Sequence, residues 1–539
     1  MTERLVWAGV PEEKTTFPGV ASVIGNGNYT LQIEMRAVNP ELRDIPGDRR
    51  LDRCRRARLP GKGMDGVSCY LLKAIVSFRF RVAEGKALSV SSLSLWKGLM
   101  AIVRTRLGLQ SFVSGALWAV ALCGVRPARA AEHTVTVDYR VFPGLAEMDG
   151  NWAALLAASD GKVYVGLACH GCDGHLVYFD PKADHMVDVG DLNKLTGQDG
   201  VNVGPQSKIH AKFGEGKDGR IYFATHAGHW FDYARYATPE GYPGSHYMAF
   251  DPHTATLQDF GIGPRYEGMN TGAYDPKYNR IYGLTHPRGH FVYYDVATGA
   301  KVDKGRMNNW ESICRTLGID EDGNVYGSFG AGRIYKYSPI TDSITELKER
   351  VPIRAKGISL GRDYGKSETA WRVVVWDHTN KLFYGLDESE TALFSFDPVA
   401  PAEMAVKRLG QMAIPELADK RYVPYATLSL TLGLDRKLYY AAAEKEFDYG
   451  GSGEAGKASH LVTYDLRTGK TEDLGEMHLP DGRPVLGTNA ATTAPDGTIY
   501  FVGAIGVKNI KGAEGESAGM IGDTPYRLSL FVYHPKAAN

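Results

Sequence analysis

The chain has 539 residues, with 62 Lys and Arg balancing 62 Asp and Glu for a net charge of zero. That balance leaves no electrostatic footprint for general binding to nucleic acid or to an anionic membrane surface. The 63 glycines and 11 % aromatic residues suit many tight turns between packed strands.

Residues 1–99 show no repeat and carry basic pairs such as Arg49-Arg50 and Arg55-Arg56, and they read as a non-native or disordered extension. Residues 100–130 have the layout of a secretory signal. Met100 opens it, Arg104 and Arg106 supply the basic region, 112–122 is a short apolar core, and Ala128-Arg129-Ala130 offers a cleavage site. The apolar core is too short to span a bilayer. The expected mature chain is therefore 131–539, periplasmic or secreted, with no stable membrane span. It opens on HTVTVDYRVF (133–142), whose Val and Thr alternate with polar residues as a strand requires.

From residue 160 onward one unit recurs seven times. Its first half reads DGKVYVGL, DGRIYFAT, YNRIYGLT, DGNVYGSF, NKLFYGLD, DRKLYYAA and DGTIYFVG. The aligned aromatics are Tyr164, Tyr222, Tyr282, Tyr326, Phe383, Tyr439 and Tyr500, at steps of 58, 60, 44, 57, 56 and 61 residues. A partner run follows each, such as HLVYFDP (175–181) or HLVTYDL (460–466). Seven copies of about four strands predict an all-β, seven-bladed propeller over 131–539. Within each repeat, strand A precedes the turn, B carries the aromatic, C is the partner run and D is a shorter segment. The last repeat lacks a strand D, and 133–142 is the expected replacement that closes the ring and covers its open edge.

Taken in order, blade 1 holds Cys169-His170-Gly171-Cys172. This C-x-x-C reads as a local disulfide or two free thiols; a zinc site adding His170 or His175 would lack a second pair. Strand A of blade 2 is SKIHAKF, with His210 twelve residues before Tyr222. The same offset selects Asn270 in blade 3, Cys314 in blade 4 and Trp371 in blade 5, positions expected at the channel mouth. The blade 2 B–C loop, 225–246, is long and carries His226, His229, Trp230, Tyr233 and Tyr242. Its blade 3 counterpart carries His286 and Arg288, and His226 and His286 each lie four residues after the aligned tyrosine. Loops on a rigid scaffold around a channel are where a site is expected. The histidines that open strand C (His175, His246, His290, His460) recur at one repeat position and read as structural.

A cluster of His, Tyr and Arg without a serine-nucleophile, phosphate-loop or H-E-x-x-H motif points to acid–base chemistry on an anionic substrate. His210, His226 and His286 could alternatively hold a divalent metal (Mn, Zn or Ca). Trp230, Trp310 and Trp371 offer apolar faces for sugar rings, with Asn270 and His286 as polar contacts.

This arrangement resembles the seven-bladed propeller polysaccharide lyases, which include ulvan lyases, rhamnose–glucuronate lyases and, more distantly, oligogalacturonate lyases. The resemblance implies histidines and a tyrosine for proton transfer, and an arginine or a metal at the uronate carboxylate. His210 and one of His226 or His229 would match the histidines, and Arg288 the arginine. Tyr233, Tyr242, Tyr266 and Tyr274 are the candidates for the tyrosine. The implied function is an exported lyase acting on an acidic oligo- or polysaccharide; the alternative is a non-catalytic propeller that binds a glycan or a protein.

Overall fold

The computed structural model describes in full residues 133–170, 172–199, 204–228, 241–308, 312–352, 370–388, 391–413, 427–443, 458–507 and 525–536. It adds the backbones of short strands elsewhere, including Pro18–Ile24, Thr30–Ala37, Val76–Val82 and Lys86–Val90, which pair consecutively as an antiparallel sheet. The signal expected at 100–130 lies outside the described residues. The chain divides into two units, 1–129 and 130–539. No helix among the described residues is long and apolar enough to cross a membrane.

The second unit is a seven-bladed β-propeller, and the aligned aromatics all sit on the second strand of their blades. Blade 2, for example, runs Gly214–Glu215, Ile221–Ala224, Gly244–Asp251 and Thr256–Arg265 as an antiparallel meander. The repeated aromatic serves two ends at once. Its ring packs between blades, while its hydroxyl reaches back to the turn: Tyr164 donates to Asp160, Tyr222 to Asp218 and Tyr439 to Asp435, each at 2.8 Å. Apolar residues of neighbouring blades interdigitate in the gaps, as with Tyr164, Leu176, Ile221, Phe223 and Phe250 between blades 1 and 2. The blade 7–blade 1 gap is filled in the same way by Val163, Val165, Phe179, Tyr500, Val502 and Leu530.

The strand-C histidines are structural. His175, His246, His290 and His460 each place Nδ1 on an aspartate thirteen residues ahead, on strand D: Asp188, Asp259, Asp303 and Asp473, at 2.8–3.1 Å. Blade 4 keeps the spacing with other chemistry, as Arg333 faces Glu346 at 3.6 Å.

The N-terminal strand divides its work between two blades. Thr134–Thr136 pairs in parallel with Lys470–His478 of blade 6. Asp138–Val141 pairs antiparallel with Thr524–Tyr533 and supplies the outer strand that blade 7 lacks. Val137 and Phe142 are buried in the process. Gly475 makes the approach to blade 6 feasible: its φ is +112° and a Cβ there would collide with the His133 carbonyl. The sequence pattern suggests one strand for one blade; a break between strands at Val137 lets the segment clasp two.

Candidate functional site

His210, ahead of the first strand of blade 2, His226, just past its second strand, and His286, at the end of the second strand of blade 3, come together in one row. Ring centroids are 5.3 Å apart for His210 and His226, and 5.5 Å apart for His226 and His286. Trp152 of blade 1 stacks on the far side of His210 at 4.9 Å. All three histidines are more than nine-tenths buried. Burial holds His210 and His226 well below the ordinary imidazole range, and the Lys208 ammonium lowers them further. Burial, then Lys208 and Arg315, push His286 down to about 3. At neutral pH the row is therefore three uncharged bases facing cations.

That arrangement predicts acid lability. An unfolded chain takes up these protons near pH 6.5, whereas the folded chain resists them until far lower pH. Their contribution is full above pH 6.5 and declines as pH falls toward the folded values, by up to about 1.4 kcal/mol per pH unit for each histidine. Urea unfolding at neutral pH and at about one to two units below the histidine range should show this loss; equal stability at both would contradict the buried neutral row.

Lys208 is itself tightly held. Its Nζ lies 4.4 Å from the Trp152 ring centre and 3.2 Å from His170 Nε2. His170 Nδ1 and its backbone N–H both contact the Asp149 carboxylate at 2.9 Å. The loop carrying His170 is closed by a Cys169–Cys172 disulfide. In blade 5, Arg372 pairs with Glu388 at 3.1 Å, both buried. Lys212 reaches from blade 2 to the Val374 carbonyl of blade 5 at 3.2 Å, with burial lowering its pKa to about 8.

Other expected site residues are placed differently. Trp371 has no exposed surface: it packs in the core shared by blades 3, 4 and 5 and donates its indole N–H to the Thr316 carbonyl, so it has no face to offer a sugar. Tyr242 is buried and donates to Gln206 Oε1 at 2.8 Å, in a network that also holds Thr225. Arg288 is 61 % exposed and ion-paired with Glu267. Asn270 is buried on strand A of blade 3, and its Nδ2 makes no hydrogen bond among the described residues. His229, Trp230, Tyr233 and Trp310 lie outside the described residues.

The twelve-residue offset holds for Trp152, His210 and Asn270 in blades 1 to 3, and extending it to blade 1 would have found Trp152 in the sequence. In blades 4 and 5 it selects the buried Cys314 and Trp371. The next residues, Arg315 and Arg372, are the ones whose charges act on His210. The pairing register of strand A shifts between Met269 and Thr271 in blade 3 and between Trp371 and Val373 in blade 5. Asn270 and Arg372 occupy these bulges, where a single extra residue re-aims the side chain.

The three histidines were also candidates for a metal. Among the described residues no group of three or more His, Cys, Asp or Glu is arranged to hold one. Lys208 and Arg315, beside the row, would repel a divalent cation. Among the described residues, the histidine row and its neighbours do not fit a metal.

No family model matches this chain, and no curated protein matches it in sequence. Among solved structures it is similar to a fungal alcohol oxidase of the AA5 family in complex with copper, at 11 % identity and a TM-score of 0.45, over 74 % of this chain and 77 % of that one. It is also similar to the mitotic checkpoint complex, at 10 % identity and a TM-score of 0.43, over 76 % and 96 %. The C-terminal WD40 domain of Sif2 matches at 10 % identity and a TM-score of 0.41, over 75 % and 100 %. Identities this low carry nothing about activity.

Proposed function

We propose that this protein is an exported lyase that cleaves a uronic-acid-containing glycan by β-elimination. The observation that carries the reading is the row of neutral histidines, His210, His226 and His286, beside the cations Lys208 and Arg315. Elimination needs an uncharged base to take the proton beside the uronate carboxylate; the C–H electrons form the new double bond and the glycosidic C–O bond breaks. His210 has a free site for this role, since its Nδ1 makes no hydrogen bond among the described residues. The proton that His210 takes up is the one returned to the departing glycosidic oxygen, with the His226 ring 5.3 Å away able to relay it. Charge accumulates on the carboxylate as the proton leaves, and a fixed cation stabilises that state more than the ground state. With Arg288 paired to Glu267, Lys208 and Arg315 are the better candidates for this cation. The Cys169–Cys172 disulfide supports export, because such bonds persist in oxidising compartments.

The second reading is a propeller that binds an acidic glycan without turning it over, favoured by the stacking of Lys208 on Trp152, which would hold a charged sugar in either case. Incubating the purified protein with a panel of uronate polysaccharides and following the ultraviolet absorbance of the unsaturated product separates the two. Product from one polymer is expected; none from any, with binding retained, would favour the binder.

A further inference from the structure

We propose that Lys208 is the group that selects for negative charge in this channel, and that Asp149 and His170 act as positioning residues for it. The ligand class is a carboxylate-bearing sugar. The chain of contacts is directional. Asp149 accepts from the His170 backbone N–H and faces Nδ1 of its ring, so the proton belongs on Nδ1 and Nε2 is left to accept from Lys208 Nζ. Trp152 covers another side of the ammonium. An isolated backbone bridge sets Lys208 directly opposite His226, so their side chains share a face.

The surroundings call for an anion. Each charge identified as acting on the histidine row is positive: Lys208 on all three, Arg315 on His210 and His286, Arg372 on His210. The carboxylates nearby are already engaged, Asp149 by His170 and Glu388 by Arg372. Two neutral groups, Nδ1 of His210 and Nδ2 of Asn270, whose backbone bonds His210, are buried without a hydrogen bond among the described residues. Buried polar atoms of this kind are costly unless a ligand meets them. A carboxylate beside Lys208, with a ring hydroxyl reaching His210 or Asn270, would satisfy these demands together. Cys169 and Cys172 were read for their own chemistry; here their disulfide closes the loop that presents His170.

The inference rests on the lyase reading only for the identity of the sugar, so its test is binding rather than turnover. Calorimetric titration of the full-length protein with glucuronate and with glucose should show a preference for glucuronate. Lys208→Met should reduce that preference by about 10- to 100-fold, the worth of a hydrogen bond to a charged group, and Lys208→Arg should restore part of it. Asp149→Asn should weaken glucuronate binding while leaving some charge preference. In Lys208→Met, NMR titration of the histidines should show the His226 and His286 pKa values rising, while in Lys208→Arg, which keeps the charge, they should stay low; a loss of packing would raise them in both variants. An unchanged preference in folded Lys208→Met, or no glucuronate preference in the parent protein, would overturn the proposal. Charge-selective binding with no polymer cleaved would defeat the lyase reading and leave this one standing.

Discussion

Replacing His210 by alanine is expected to lower turnover by about 10²–10⁴-fold on a uronate polymer that the parent protein cleaves, the usual worth of a positioned acid–base group. The ring stands between Trp152 and His226, so its loss removes the proposed base and leaves those two rings without the one between them. Loss of chemistry should appear in kcat, with KM less affected because Lys208 remains. His460→Ala supplies the matched control. That histidine is tied to Asp473 on the outer part of blade 6, and its removal should cost about 1–3 kcal/mol of stability while activity is largely kept. Parallel thermal melts separate catalysis from folding. Full activity in a folded His210→Ala protein would refute the assignment of the base.

Deleting 133–142 is expected to destabilise the entire propeller rather than fray one end. The segment supplies the outer strand of blade 7 and an added parallel strand on blade 6. The deletion forfeits the burial of Val137 and Phe142, worth about 3–6 kcal/mol, a large share of the stability a folded protein typically holds. The cut also exposes the edge of the Thr524–Tyr533 strand, so aggregation should accompany the loss. A chain beginning at Pro143 that melts with the parent would show that the clasp contributes nothing.

Both experiments rest on features that differ in how far they could be read from sequence. The blades were legible because the turn, the aromatic and the partner strand recur with one local pattern, and Tyr164, Tyr222 and Tyr439 obey it through identical hydrogen bonds. The structural histidines were legible for the same reason: His175, His246, His290 and His460 occupy one repeat position. The His210, His226 and His286 row followed from adding fixed offsets to that repeat. Lys208 and His170 were visible as residues but not as a site, since neither shares a repeat position with a matching residue elsewhere.

By itself, the amino-acid sequence determined the number of blades, the strand order within each and the sector where titratable groups gather, because these depend on local periodicity and turn chemistry. Which inner-strand residues come to lie beside the histidine row depends on the tertiary structure. A one-residue slip reverses the face of a side chain, so a bulge buries Trp371 and brings Arg372 into play although the two are adjacent in sequence. It also decided the partners of the charges. Arg288 found Glu267 and Lys208 found His170 through contacts between segments about 20 and 40 residues apart, distances over which no local pattern constrains a pairing.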